Sequence, residues 1–161
     1  AQAQRWSATS PGLPCDQVIF DWIDDIRDRI SRAAERRGSA PRQFAATMAA
    51  VFSTDSEALV IQVGDSVVAG RADGNWSVPL WPESGEYAAT TSVVTDRPAP
   101  RLHLAREARG FDGFALFSDG LEAIALDHTE QQAHRPFLDP MIKVIDDAQG
   151  SGRLAVRNRS S

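Results

Sequence analysis

Few residues in this chain can carry chemistry, and most of those lack a helper. Histidines stand at 103, 128 and 134. None has a metal-ligand partner at helical spacing, so each reads as a surface or loop residue. Cys15 is the single cysteine; it lies between Pro14 and Asp16 with no base close in sequence to take its proton. Alone, it forms neither an intramolecular disulfide nor a multi-cysteine zinc site. A Gly-x-Ser-x-Gly elbow is missing, and so is either common glycine-rich phosphate loop. The informative stretch is Phe114-Ala115-Leu116-Phe117-Ser118-Asp119-Gly120-Leu121-Glu122. There an apolar strand-like run hands one carboxylate, Asp119, to the start of a helix. Strand ends hold side chains rigidly, and a fixed carboxylate oxygen suits a hard divalent cation. An aspartate at such a junction equally suits helix capping. On the residues alone both readings stand.

The elements that position this aspartate follow from hydrophobic period and turn chemistry. Ile19, Trp22, Ile23, Ile26, Ile30 and Ala33 recur at helical spacing, with Asp16 as the expected N-cap and Gly38 and Pro41 as the stop. Residues 44–52 fit a strand or a buried helix. Residues 58–63 read as a buried strand, Gly64-Asp65-Ser66 as a turn and 67–71 as the strand returning from it. Ala72-Asp73-Gly74-Asn75 carries the Asp-Gly hairpin signal before a third strand over 76–81. Two further short strands are expected at 91–95 and 101–107, a compact one at 113–118, and helices over 121–126 and 137–145. Strands grouped between helices argue an α+β fold with stacked antiparallel sheets, not a doubly wound parallel one.

Composition narrows the class. The chain has 161 residues, 42% hydrophobic and 24% charged, which suits one globular domain. Its net charge of −5 and lack of a dense basic block argue against nucleic-acid binding. No apolar run reaches the length of a membrane span, and residues 1–6 lack the features of a signal peptide. A cytoplasmic protein is therefore expected. Arginine outnumbers lysine heavily, Lys143 being the only lysine. Arg27, Arg29, Arg32, Arg36 and Arg37 interleave with Asp21, Asp24, Asp25, Asp28 and Glu35, the pattern of a salt-bridged helix face.

Five pieces occur in an order that matters: the amphipathic helix, then Phe44-Ala45-Ala46-Thr47-Met48, then Ile61-Gln62-Val63-Gly64-Asp65-Ser66. Trp81-Pro82-Glu83-Ser84-Gly85-Glu86-Tyr87-Ala88 follows, with Thr91 and Thr95-Asp96, and last Leu116-Phe117-Ser118-Asp119-Gly120-Leu121-Glu122. In these, residues 16–145 resemble the bacterial metal-dependent protein phosphatases of type 2C. The resemblance implies an antiparallel β-sandwich flanked by helices, with two Mn²⁺ or Mg²⁺ ions at one end. There a metal-activated water attacks a phosphoserine or phosphothreonine. It assigns Asp119 as a metal ligand and Asp65 as a turn-supporting aspartate, and it names no other catalytic residue. For residues 85–87 the plain expectation is a buried glutamate hydrogen-bonded to backbone.

The departures from that pattern are equally concrete. The family's early acidic ligand and its Asp-Gly-x-Gly loop have no counterpart before residue 16. The Asp-Asp or Asp-Asn metal motif is missing after residues 156–161. Ala123 stands four positions beyond Asp119, where an extra acid can occur, and Arg42 stands near where another can. The expectation is thus a sandwich incomplete at both ends: an extended segment over 1–15, a phosphatase-like domain over 16–148 and a flexible tail over 149–161. Its implied function is a metal-dependent serine/threonine protein phosphatase acting on a phosphoprotein. The alternative is a catalytically inactive relative that keeps the sandwich as a binding or regulatory module for a protein partner. Neither reading involves nucleic acid or a membrane.

Overall fold

The computed structural model describes residues 12–82 and 91–150. The expected amphipathic helix is α1, Asp16–Arg36. Its start differs in one detail from expectation. Cys15 takes the N-cap position without a side-chain capping bond, and Asp16 is already helical. Asp16 instead pairs with Arg106, whose Nη2 lies 2.7 Å from its Oδ1. At the other end Gly38 takes the left-handed conformation, φ +62°. There the N–H groups of Gly38 and Ser39 donate to the carbonyls of Glu35 and Ala34, which satisfies the last turn as a glycine stop should.

A 3₁₀ turn, Pro41–Phe44, leads into β1, Met48–Ser53, and then β2, Ala58–Val63. The chain continues as β3, Val67–Ala72; β4, Asn75–Ser77; β5, Leu102–Glu107; and β6, Gly113–Phe117. Helix α2, Asp119–Ala125, the short strands β7, Leu126–Asp127, and β8, Gln132–Ala133, and helix α3, Arg135–Gly150, complete it. Two three-stranded antiparallel sheets result, ordered β1-β2-β5 and β4-β3-β6, beside the two-stranded β7-β8. The α+β class of antiparallel sheets flanked by helices is therefore as expected.

Three local expectations are corrected. Strands β2 and β3 are not a hairpin. They belong to different sheets, and Gly64-Asp65-Ser66 carries the chain from one to the other. The β-branched run at 91–95 forms no strand, because the side chain of Asp96 folds it into a turn by accepting from Ser92 Oγ (2.9 Å) and the Val93 N–H (3.0 Å). The strand expected over 76–81 is confined to the three residues of β4.

Each sheet is covered by helix. Ile19 and Ile23 of α1 pack on Leu59 and Ile61 of β2, with Trp22, Phe52, Leu102 and Leu104 around them. Leu59 and Ile61 are two apart, so the pleat turns both toward the helix. Fully burying such a side chain contributes roughly 1.5–3 kcal/mol. A second core joins Ala69 of β3 to Ala125, Ala133 and Leu138, flanked by Trp76, Phe117 and Phe137. It anchors α2 and α3 against the β4-β3-β6 sheet, and so fixes where β6 ends and α2 begins. No helix among the described residues is long and apolar enough to cross a membrane.

Helix α3 is also held by a polar tie. The Trp76 indole N–H donates to Asp139 Oδ1 at 2.7 Å, and Arg135 reaches Oδ2 of the same carboxylate at 3.3 Å. The indole bond is the main reason the Asp139 carboxyl titrates below the usual carboxylate range. Desolvation opposes that shift in part, while the charges of Arg135 and Arg71 add to it. A lowered folded-state value means that Asp139 stabilises the fold above the ordinary carboxylate range and ceases to as pH falls through its own lowered value. Asp139→Asn should therefore be less stable than the parent at neutral pH. In urea melts across the acid range, the gap between the two should close as pH drops. A gap that persists unchanged at the acid end would refute this assignment.

Candidate functional site

The site is built where β6 runs into α2. Phe117 closes the strand in the second core, Ser118 is extended at the N-cap position, and Asp119 opens the helix. Ser118 makes no side-chain capping bond, and its carbonyl accepts from the Leu121 N–H at 3.1 Å. Asp119 is thus in the first turn, where a negative charge suits the helix dipole, but it does not act as the cap. Its side chain is exposed, and no described residue hydrogen-bonds or ion-pairs with it.

Several other acidic side chains around the strand ends and turns are occupied, while Asp55 and Asp73, in the β1–β2 and β3–β4 turns, are not. Asp65 Oδ2 accepts from Thr91 Oγ1 at 3.0 Å, tying the inter-sheet turn to the 91–96 loop, which is the turn-supporting role expected of it. Next to it, Ser66 Oγ lies 3.1 Å from Thr47 Oγ1. Asp96 holds its own loop, and Ser92 Oγ, nearly buried, also accepts from the Arg101 N–H. Asp127 Oδ1 accepts from the N–H groups of Thr129 and Glu130 in the β7–β8 turn. Glu122, one turn beyond Asp119 on α2, lies 3.3 Å from His128 Nε2, and the His128 ring stands edge-on to Trp81 at 5.6 Å. From the sequence His128 reads only as a surface or loop residue with no metal-ligand partner at helical spacing. The Glu122–His128 pair brings together residues six apart across a helix end, a spacing that belongs to no motif.

The remaining sequence candidates are dispersed. Cys15 is exposed at the head of α1, Ala123 and Arg42 are exposed, and His134 Nδ1 is 2.9 Å from the Ile124 carbonyl. Arg27 is structural. Its Nη2 donates to the carbonyls of Asp96 (3.0 Å) and Pro98 (2.8 Å), fastening α1 to the 91–101 loop, while Nη1 pairs with Asp24. Arg29 pairs with Asp25 at 2.9 Å, as a salt-bridged face requires. Residues 85–87, with the glutamate expected to be buried, lie outside the described residues.

Two dications sharing one site need several carboxylates to offset their charge and dehydration. Among the described residues, no three histidine, cysteine, aspartate or glutamate side chains converge so as to hold a metal ion. On their own the described residues do not fit a dinuclear centre, and Asp119 offers a single ligand.

Comparison with known proteins gives the site its context. Residues 3–156 match the family described as protein phosphatase 2C, a span wider on both sides than the motif-bearing 16–145. The chain is 34% identical over 126 residues to serine/threonine-protein phosphatase 3 of Escherichia coli (strain K12). That alignment covers 78% of this chain and 50% of the relative, so the chain spans about half the length of the curated relative it matches. No solved structure matches the chain.

Proposed function

Since this chain belongs to the protein phosphatase 2C family, we propose that it serves as a serine/threonine protein phosphatase-type domain whose Asp119 is presented to a divalent cation, Mn²⁺ or Mg²⁺. One observation carries the reading. The carboxylate that the family resemblance assigns to metal binding is exposed and unengaged where a strand packed in the second core runs into a helix. Asp65, Asp96, Asp127 and Asp139 are each committed to holding the fold. A carboxylate kept free of hydrogen bonds is costly to the local structure only when buried, and Asp119 is exposed, so the fold keeps it available at little expense.

The chain's own residues have a definite part in this. The β4-β3-β6 sheet and the second core fix the β6–α2 junction, which orients Asp119. Glu122, anchored by His128, shares its helix face one turn on. Further acidic ligands have to come from outside residues 12–82 and 91–150. The substrate class that follows is a phosphoprotein, and the expected location is the cytoplasm. The inactive-module alternative gains no support from the comparisons, since the relative carries a phosphatase name.

The test is phosphate release from a phosphothreonine peptide in millimolar Mn²⁺, with a chelator control and with circular dichroism to show that the sample is folded. Metal-dependent release is the expected result. A folded protein that releases no phosphate with Mn²⁺ or Mg²⁺ would refute the catalytic reading.

A further inference from the structure

The stretch 44–48 places one hydroxyl, that of Thr47, where the chain enters β1. Thr47 is half-buried, and its Oγ1 shares a hydrogen bond of 3.1 Å with Ser66 Oγ. Thr47 directly precedes β1 of one sheet, and Ser66 directly precedes β3 of the other. The bond therefore fastens the two sheets together at the entrances of these strands.

It is one of three ties on a single turn. Gln62, nearly buried, donates from Nε2 to the Gly64 carbonyl at 3.0 Å; Asp65 accepts from Thr91; and Ser66 is bonded to Thr47. Connections between strands are ordinarily the freest parts of a fold, yet here each of the three residues is held by a side chain. What lies beside the turn gives that rigidity a use. The β3–β6 ladder ends at Val67↔Phe117. Ser66 leaves it on one strand where Ser118 leaves it on the other, and Asp119 comes next. The path from Thr47 to Asp119 thus runs through Ser66, Val67 and Phe117. Val67 is fully buried and Phe117 packs in the second core, so a shift of the turn is passed to the β6–α2 junction.

We propose that Thr47 is a positioning residue for the phosphatase reaction: its bond to Ser66 fixes the turn beside the β6–α2 junction and, through it, the place of the Asp119 carboxylate. This inference rests on the phosphatase reading of Asp119. The lever is large, because misplacing a reacting group by about 1 Å costs on the order of 100-fold in rate.

Two readouts on the 161-residue chain test it: phosphate release in the assay above, and amide exchange across 115–121, which includes the Leu121 N–H bonded to the Ser118 carbonyl. Valine keeps the shape of threonine, with a methyl beside Gly64, but removes the hydroxyl. Thr47→Val should speed exchange across 115–121 by roughly 2–10-fold, the opening that one hydrogen bond restrains, and should lower release at least ~10-fold. Thr47→Ser should restore both. Ile23→Val, a core change against β2, should lower the urea midpoint yet move neither readout. If Thr47→Val does not fold, Ser66→Ala removes the other hydroxyl and carries the same expectation. With an active parent, unchanged exchange in the hydroxyl variants overturns the positioning role alone, as does faster exchange with undiminished release. Equal effects from Ile23→Val overturn it too, for then any loss of stability suffices. A folded parent that releases no phosphate removes the reaction itself, and the role with it.

Discussion

Gly64→Ala should destabilise the chain by ~3 kcal/mol or more, read as a fall in the urea midpoint with little change in slope. Two costs add at this position. The backbone is left-handed, φ +91°, which an L side chain resists. A Cβ there would also lie 2.5 Å from Thr47 Cγ2 and 2.7 Å from the Ser92 carbonyl oxygen. Neither neighbour can move freely. Thr47 is bonded to Ser66, Val94 N–H donates to the Ala46 carbonyl, and Asp96 holds the backbone around Ser92. Gly74 supplies the control, since its φ of +72° is similar but nothing stands within 4 Å of its Cβ position. Gly74→Ala should cost about 1 kcal/mol, the conformational share alone. Equal losses at the two glycines would rule out the close approach at Gly64 as the main cause.

The second large effect concerns activity. Asp119→Asn should lower metal-dependent phosphate release by at least the ~100-fold that even residues behind a metal ligand can contribute. Folding should change by no more than ~1 kcal/mol, the worth of one acidic side chain in a first helical turn. The separation is clean because the carboxylate is exposed and touches no described polar group. Glu122→Gln is the comparison on the same helix face. It should disturb the His128 contact and reduce turnover less than Asp119→Asn. Equal turnover in Asp119→Asn and the parent would remove Asp119 from the site.

Much of the fold was legible because single residues dominate their neighbourhoods. The 3.6-residue recurrence from Ile19 to Ile30 could only be an amphipathic helix, and its stop at Gly38 is a left-handed glycine in fact. The run Ala58–Val63 was readable as buried, and every residue of β2 is. The partner of β3 was not legible. Two apolar strands around Gly-Asp-Ser look alike whether they pair with each other or separate into two sheets. What decides is Thr47 and Ser92, distant in sequence and packed against Gly64. The 91–95 stretch misleads for a related reason: its β-branched residues favour extension, but one nearby carboxylate, Asp96, offers the Val93 N–H and the Ser92 hydroxyl a closer partner. At the candidate site the same divide holds. Asp119 stands out as a polar residue ending an apolar strand, whereas the bonds that occupy Asp65, Asp127 and Asp139 and leave Asp119 free depend on tertiary contacts.

The inter-sheet step at Gly64 also sets the order in which the chain can be assembled. β2 finds its second neighbour in β5, with Ala58 opposite Glu107, and β3 finds its in β6, with Val67 opposite Phe117. Both closing strands therefore arrive late, one shortly after the other, and each must close a loop of tens of residues before it gains any pairing. During synthesis the first half of the chain can form α1 and the β1–β2 pair, but β3 must wait with one side bare until residue 117 has left the ribosome. The two sheets should then complete almost together, so that folding intermediates with one finished sheet stay sparsely populated.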